Sequence, residues 1–186
     1  MTSSIYQQSI DKQRIIITGA QSGLISKLAR HVLAANQRKF DFYRAGEAVP
    51  VLTDAPVILI EAQDQLADYH HHILILSEVP SNHVKEIEKV ADATSKGGII
   101  IFPESNAELK SIAARERTDV QAIPYNTYKH ESKNGATILI TSTNEKFPVA
   151  LSSEWELKCI SATREVLKKI GISSGQFYRA VSTFKP

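Results

Sequence analysis

Four runs of this sequence are apolar at every position: Ile15-Ile16-Ile17, Val57-Ile58-Leu59-Ile60, Ile73-Leu74-Ile75-Leu76 and Ile99-Ile100-Ile101-Phe102. Successive side chains of a strand point to opposite faces, so a strand with one wet face alternates apolar and polar residues. Runs without alternation are buried on both faces, as in a parallel sheet covered by helices. The segments between them fit that arrangement. Leu24, Ile25, Leu28, Ala29, Val32 and Leu33 recur at helical spacing up to about Ala35, and Asn36 supplies a stop. A helix is predicted over 82–98, with Val84, Ile87 and Val90 on one face and Gly97-Gly98 as its end. A shorter one is predicted over 105–116, with Asn106, Glu108 and Lys110 outward, and a further strand near Phe40–Tyr43. Strands alternating with helices predict an α/β domain: a mostly parallel sheet flanked by helices in three layers.

The pattern changes in the last third. Residues 121–141 read as a β-hairpin turning at Lys133-Asn134-Gly135, since Asn-Gly suits the positive φ angles of a two-residue turn. A last strand is expected over Phe147–Leu151, then helices over 154–171 and 173–184, with Ser173 as an N-cap. Residues 1–13 read as a polar lead-in. With 186 residues, the chain is expected to form one domain over 1–186.

Composition narrows the function classes. A formal charge of only +2, with lysines and arginines scattered, gives no electrostatic footprint for nucleic acid. No run reaches the ~20 apolar residues of a membrane span. The first residues lack the basic start and apolar core of a signal peptide, so a cytoplasmic location is expected. Cys159 is the single cysteine, which excludes an internal disulfide and a multi-cysteine zinc site.

The loop TGAQSG at 18–23, between the first apolar run and the first amphipathic pattern, has the grammar of a phosphate cradle. Such loops use glycines for close backbone approach, free N–H groups, a helix N-terminus and a lysine for the terminal phosphates. Here Thr18, Gly19, Ser22 and Gly23 keep the loop, but Leu24 and Ile25 stand where lysine and a magnesium-binding hydroxyl would be. Lys27 lies roughly one helical turn further on. A second reading is dinucleotide binding. Thr-Gly-x-x-x-Gly resembles the start of short-chain dehydrogenases, and Tyr125 with Lys129 repeats their Tyr-x-x-x-Lys pair. That pair needs a helix to bring the two side chains together, whereas Pro124 and the Asn-Gly turn predict strands.

Glu61 and His83 each follow an apolar run, where open α/β sheets bind ligands, and both can ligate a metal. His70-His71-His72 reads as a polar loop rather than a metal tract, because neighbours on an extended chain diverge. Trp155 and Cys159, four apart, are expected to pack one helix face.

The phrases collected so far, with others, resemble the central, ATP-binding domain of the Mur ligases. The resemblance is nearest to those joining UDP-N-acetylmuramate to alanine or to a recycled murein peptide. It rests on Thr18-Gly19 and His31-Val32-Leu33, on RKFDF at 38–42, DAPVILIE at 54–61, KGGIIIF at 96–102, IPY at 123–125, KNGATILIT at 133–141 and EVLKKIGISSGQFYRAVSTFK at 165–185. It is collinear over nearly the whole chain. It implies the three-layer fold and, for an intact relative, Mg-ATP held by a loop like TGTHGKTTT. It also implies metal roles for Glu61 and His83.

The departures shape the functional expectation. The loop lysine and hydroxyls are absent, and an acidic segment becomes EAQDQ at 61–65. The Glu-His-Asn motif becomes EWE at 154–156, keeping Glu154. The UDP-binding and C-terminal domains of full ligases are expected to be absent. Acyl-phosphate formation needs lysine and metal on the transferring group. The expectation is therefore a stand-alone domain without catalytic residues or cofactor, acting as a binding or regulatory module. A protein partner or self-association through faces that other domains cover in full ligases would fit. The alternatives are residual binding of ATP or ADP with Mg2+, and NAD(P) binding.

Overall fold

The computed structural model describes residues 2–115 and 117–186. The chain runs α1 (Thr2–Gln8), β1 (Gln13–Thr18), α2 (Ser22–Ala35), β2 (Asp41–Arg44), β3 (Val57–Glu61), β4 (Ile73–Leu76), α3 (Val84–Asp92), β5 (Ile99–Pro103), α4 (Ala107–Ala113), β6 (Gln121–Tyr125), β7 (His130–Lys133), β8 (Ala136–Ile140), β9 (Lys146–Val149), α5 (Glu154–Lys169) and α6 (Ser174–Val181). Six strands form one sheet in the order β2-β3-β1-β4-β5-β6. Each neighbouring pair is parallel. The small sheet β7-β8-β9 is antiparallel.

The apolar runs divide between two cores as strand periodicity requires. Ile15, Ile17, Leu59, Ile73, Ile75 and Ile101 face one layer, built by α2, α5, α6 and the small sheet. Ile16, Ile58, Ile60, Leu74, Leu76 and Ile100 face the other, built by α1, α3 and α4. Ile25, Leu28 and Val32 of α2 are fully buried, each stabilising the layer by roughly 1.5–3 kcal/mol. Ser153 and Ser173 start α5 and α6 with capping boxes completed by Glu156 and Gln176.

Several expectations need correction. Residues 2–8 are a helix, not a polar lead-in, because Ile5 packs fully buried into the second core; Met1 lies outside the described residues. Lys12 is buried as well, and its ammonium donates to the Thr53 and Ala55 carbonyls at 2.7 Å each and pairs with Asp41 at 3.3 Å. The span 121–141 is not one hairpin. Residues 121–125 pair in parallel with β5, and only β7 and β8 form the hairpin about Asn134-Gly135, both at positive φ. Helix α3 ends at Asp92, ahead of Gly97-Gly98, and Asn106 caps α4 instead of facing outward, accepting from the Leu109 N–H at 3.0 Å. Trp155 is half exposed while Cys159 is buried, so the two do not share a packed face. Among the described residues no helix is long and apolar enough to cross a membrane.

Candidate functional site

The chain leaves β1 toward β2 and leaves β4 toward β5, on opposite sides. The carboxyl ends of β1 and β4 are thus a topological switch point, where open α/β sheets place ligands. The loop from Thr18 to Gly23 lies there. A phosphate would need its N–H groups free.

They are not free. Gly19 N–H donates to Gln63 Oε1 at 3.1 Å, Ala20 N–H to the Glu78 carbonyl at 2.7 Å, Gln21 N–H to Ser77 Oγ at 3.1 Å and Ser22 N–H to the Gly19 carbonyl at 3.1 Å. Gln63 also accepts from Thr18 Oγ1 at 3.3 Å and donates through Nε2 to the Gly19 carbonyl at 3.2 Å and Ser22 Oγ at 3.0 Å. The seam with β4 is completed by Ser77 Oγ donating to the Thr18 carbonyl at 3.0 Å and by Glu78 N–H donating to Gln21 Oε1 at 3.0 Å. Protein groups just beyond β3 and β4 thus tie the loop down from both sides.

Gly19 has a reason to be glycine that involves no ligand. Its φ is +100°, and a Cβ there would lie 2.5 Å from Ser77 Oγ and 2.9 Å from the Glu78 carbonyl oxygen. Gly23 is different: a Cβ would meet only Glu61 Oε1, at 3.8 Å. The same number places the Glu61 carboxylate beside the first turn of α2, where the helix dipole favours an anion. Glu61 accepts from Arg44 Nη2 at 3.3 Å, and that pair raises the Arg44 pKa further.

The other expected site residues are dispersed. His83 sits exposed at the end of a 3-10 turn, Ser81–His83. Among the described residues no three His, Cys, Asp or Glu side chains gather as metal ligands. Ile25 points into the core and Leu24 packs against it; the group that covers the loop is Gln63. Tyr125 ends β6 and donates to the Leu76 carbonyl at 2.8 Å, so Tyr125 and Lys129 do not share a helix face. His71 is fully buried against Thr94 at 2.9 Å, unlike a polar loop residue. His72 instead accepts from the Arg14 N–H at 3.0 Å. A hollow of ≈ 530 Å³ opens beside the loop, lined among others by Tyr43, Arg44, Glu61, Gln63, Asp64 and Tyr69.

The residues present do not fit Mg-ATP. The Gly19, Ala20, Gln21 and Ser22 N–H groups are committed to protein acceptors, and the loop TGAQSG carries no lysine. Gln63, Ser77 and Glu78 escaped the sequence reading. Their one signal is position, immediately after β3 and β4.

No protein-family model matches this sequence, and no curated protein does. Solved structures do. The UDP-N-acetylmuramate:L-alanyl-gamma-D-glutamyl-meso-diaminopimelate ligase of Neisseria meningitides superposes with a TM-score of 0.75 at 11% identity, covering 100% of this chain and 69% of that one. A murein peptide ligase of Psychrobacter arcticus matches at 0.73 and 14%, covering 98% of this chain and 49% of that one. The folylpolyglutamate synthetase of Lactobacillus casei gives 0.70 and 11%, covering 98% and 66%. The chain therefore spans from about half to about two thirds of these structures. Such identities speak for architecture alone, and on that ground the chain carries a Mur-ligase-like α/β fold.

Proposed function

We propose that this is a catalytically inactive Mur-ligase-like domain acting as a binding or regulatory module, with no nucleotide of its own. The observation that supports it best is the commitment of the Gly19, Ala20, Gln21 and Ser22 N–H groups to Gln63, Glu78, Ser77 and Gly19. An incoming triphosphate would have to break these bonds and gain no lysine in return. It would also meet the Glu61 carboxylate. The names of the similar structures, ligases of UDP-N-acetylmuramate and murein peptide, support a role in peptidoglycan precursor metabolism. On this reading the domain acts in the cytoplasm, through a protein partner.

Calorimetric titration of the whole chain with Mg-ATP, ADP and NADPH tests this reading. No heat of binding at millimolar ligand is expected. Tight Mg-ATP binding that is lost in Glu61→Gln would overturn it in favour of residual nucleotide binding. Tight NADPH binding would favour the dinucleotide reading.

A further inference from the structure

A second hollow, of ≈ 370 Å³, lies at the opposite end of the sheet, under the amino ends of β1, β4 and β5. Its wall includes Ile10, Asp11, His72, Ile73, Lys96 and Ile99. We propose that it binds a small oxyanion, through the His72 imidazole N–H and the Lys96 ammonium.

The charge balance at this end of the fold points to an anion. Arg14 is buried, and its hydrogen-bond partners are carbonyl oxygens: those of His70 at 2.9 Å and Ser9 at 2.6 Å, with Ile10 and Lys12 at 3.4 Å each, while the guanidinium lies over the Tyr6 ring, 5.1 Å from its centroid. Among the described residues no carboxylate pairs with it. Carbonyl dipoles hold a guanidinium but do not cancel its charge, and an uncompensated buried charge is costly. Lys12, buried two residues before it, is already neutralised by Asp41. Asp119, near Lys96, is taken by Arg117 at 2.8 Å. Asp11 is exposed to solvent. Arg14 does not line the hollow itself, but its charge and that of Lys96 on the wall together outweigh Asp11, the one acid among the described wall residues.

His72 supplies a donor on the wall. Its Nδ1 accepts the Arg14 N–H at 3.0 Å, which leaves the ring proton on Nε2, and that atom has no partner among the described residues. Burial and the Arg14 charge lower its pKa, so the ring is a neutral donor at neutral pH. The volume is at the small end of ligand pockets. Ile10, largely exposed at the rim, and Ile73 and Ile99 give an apolar flank. That flank favours an organic oxyanion over a bare inorganic one.

The test is an NMR titration of the full chain at constant ionic strength with acetate, butyrate and inorganic phosphate, following the His72 ring and the Gly97 and Gly98 amides. Saturable shifts are expected for butyrate, tighter than for acetate or phosphate and several-fold weaker in Lys96→Ala, an exposed position whose unchanged amide spectrum elsewhere checks the fold. Saturation with butyrate but not phosphate assigns a carboxylate ligand, and the reverse assigns a phosphate. Absence of saturable shifts at tens of millimolar with every probe, or unchanged affinity in Lys96→Ala, overturns the proposal. Neither outcome bears on nucleotide binding at the opposite end of the sheet.

Discussion

The side-chain amide of Gln63 reads both polar groups of Gly19, accepting from its N–H at 3.1 Å and donating to its carbonyl at 3.2 Å. A residue 44 positions downstream thus sits where a phosphate loop would receive its ligand. Removing it does not restore the site. In Gln63→Ala the Ala20 and Gln21 N–H groups remain bonded to Glu78 and Ser77. The variant should lose about 1 kcal/mol of stability, as for partly exposed hydrogen bonds, and still give no heat with Mg-ATP. Micromolar Mg-ATP affinity in this variant would show Gln63 to be a removable lid over a working loop.

The two loop glycines should respond oppositely to alanine. Gly19→Ala forces a Cβ into Ser77 and Glu78 at a φ of +100°, and a loss of roughly 2–4 kcal/mol in urea unfolding is expected. Gly23→Ala meets one carboxylate oxygen at ordinary contact distance and lies in the first turn of α2, so its stability should stay within about 1 kcal/mol of the parent. Equal losses at both positions would show that the loop is not shaped by the Ser77–Glu78 approach.

His71 predicts a dependence on pH. Burial lowers its pKa from 6.5 to about 4. Thr94 Oγ1 donates to the Val90 carbonyl and so accepts the Nε2 proton of His71, while Nδ1 is buried without a partner. The folded state therefore takes up the proton at lower pH than the unfolded chain. Stability is complete above about pH 6.5 and falls as the pH drops toward 4, by about 3 kcal/mol in all. The His72 shift has the same sign. Urea midpoints at pH 7 and pH 5 should separate in the parent and converge in His71→Phe; an unchanged gap would assign the acid sensitivity to other groups.

The buried Lys12–Asp41 pair at 3.3 Å joins the α1–β1 connection to the start of β2. Thr53 fixes the carboxylate by donating to Asp41 Oδ1 through its N–H at 3.0 Å and its hydroxyl at 2.9 Å. Asp41→Ala leaves a buried ammonium uncompensated and should cost about 3–5 kcal/mol. Replacing both, as Lys12→Met with Asp41→Leu, should recover most of that loss. A double variant as unstable as Asp41→Ala would mean that the carbonyl contacts of Lys12, not its charge, hold this corner.

The sequence by itself determined the layers. The all-apolar runs at 15–17, 57–60, 73–76 and 99–102 could be satisfied only by a sheet buried on both faces, and the spacing in α2 fixed which side of that helix lies down. Ser173 and the Asn134-Gly135 turn were equally legible, because a cap and a two-residue turn are decided within four residues. Tertiary structure decided the rest. Residues 121–125 had strand character, but their pairing with β5 depended on a partner 22 residues away. The helical lead-in became visible only where Ile5 found the second core. The missing lysine was plain in the sequence, yet what replaced a ligand was not. Gln63, Ser77 and Glu78 reach the loop through side-chain and carbonyl contacts that leave no periodicity. Hydrophobic burial writes itself along the chain as a pattern, whereas a hydrogen-bonded closure exists only once distant strand ends have been brought side by side.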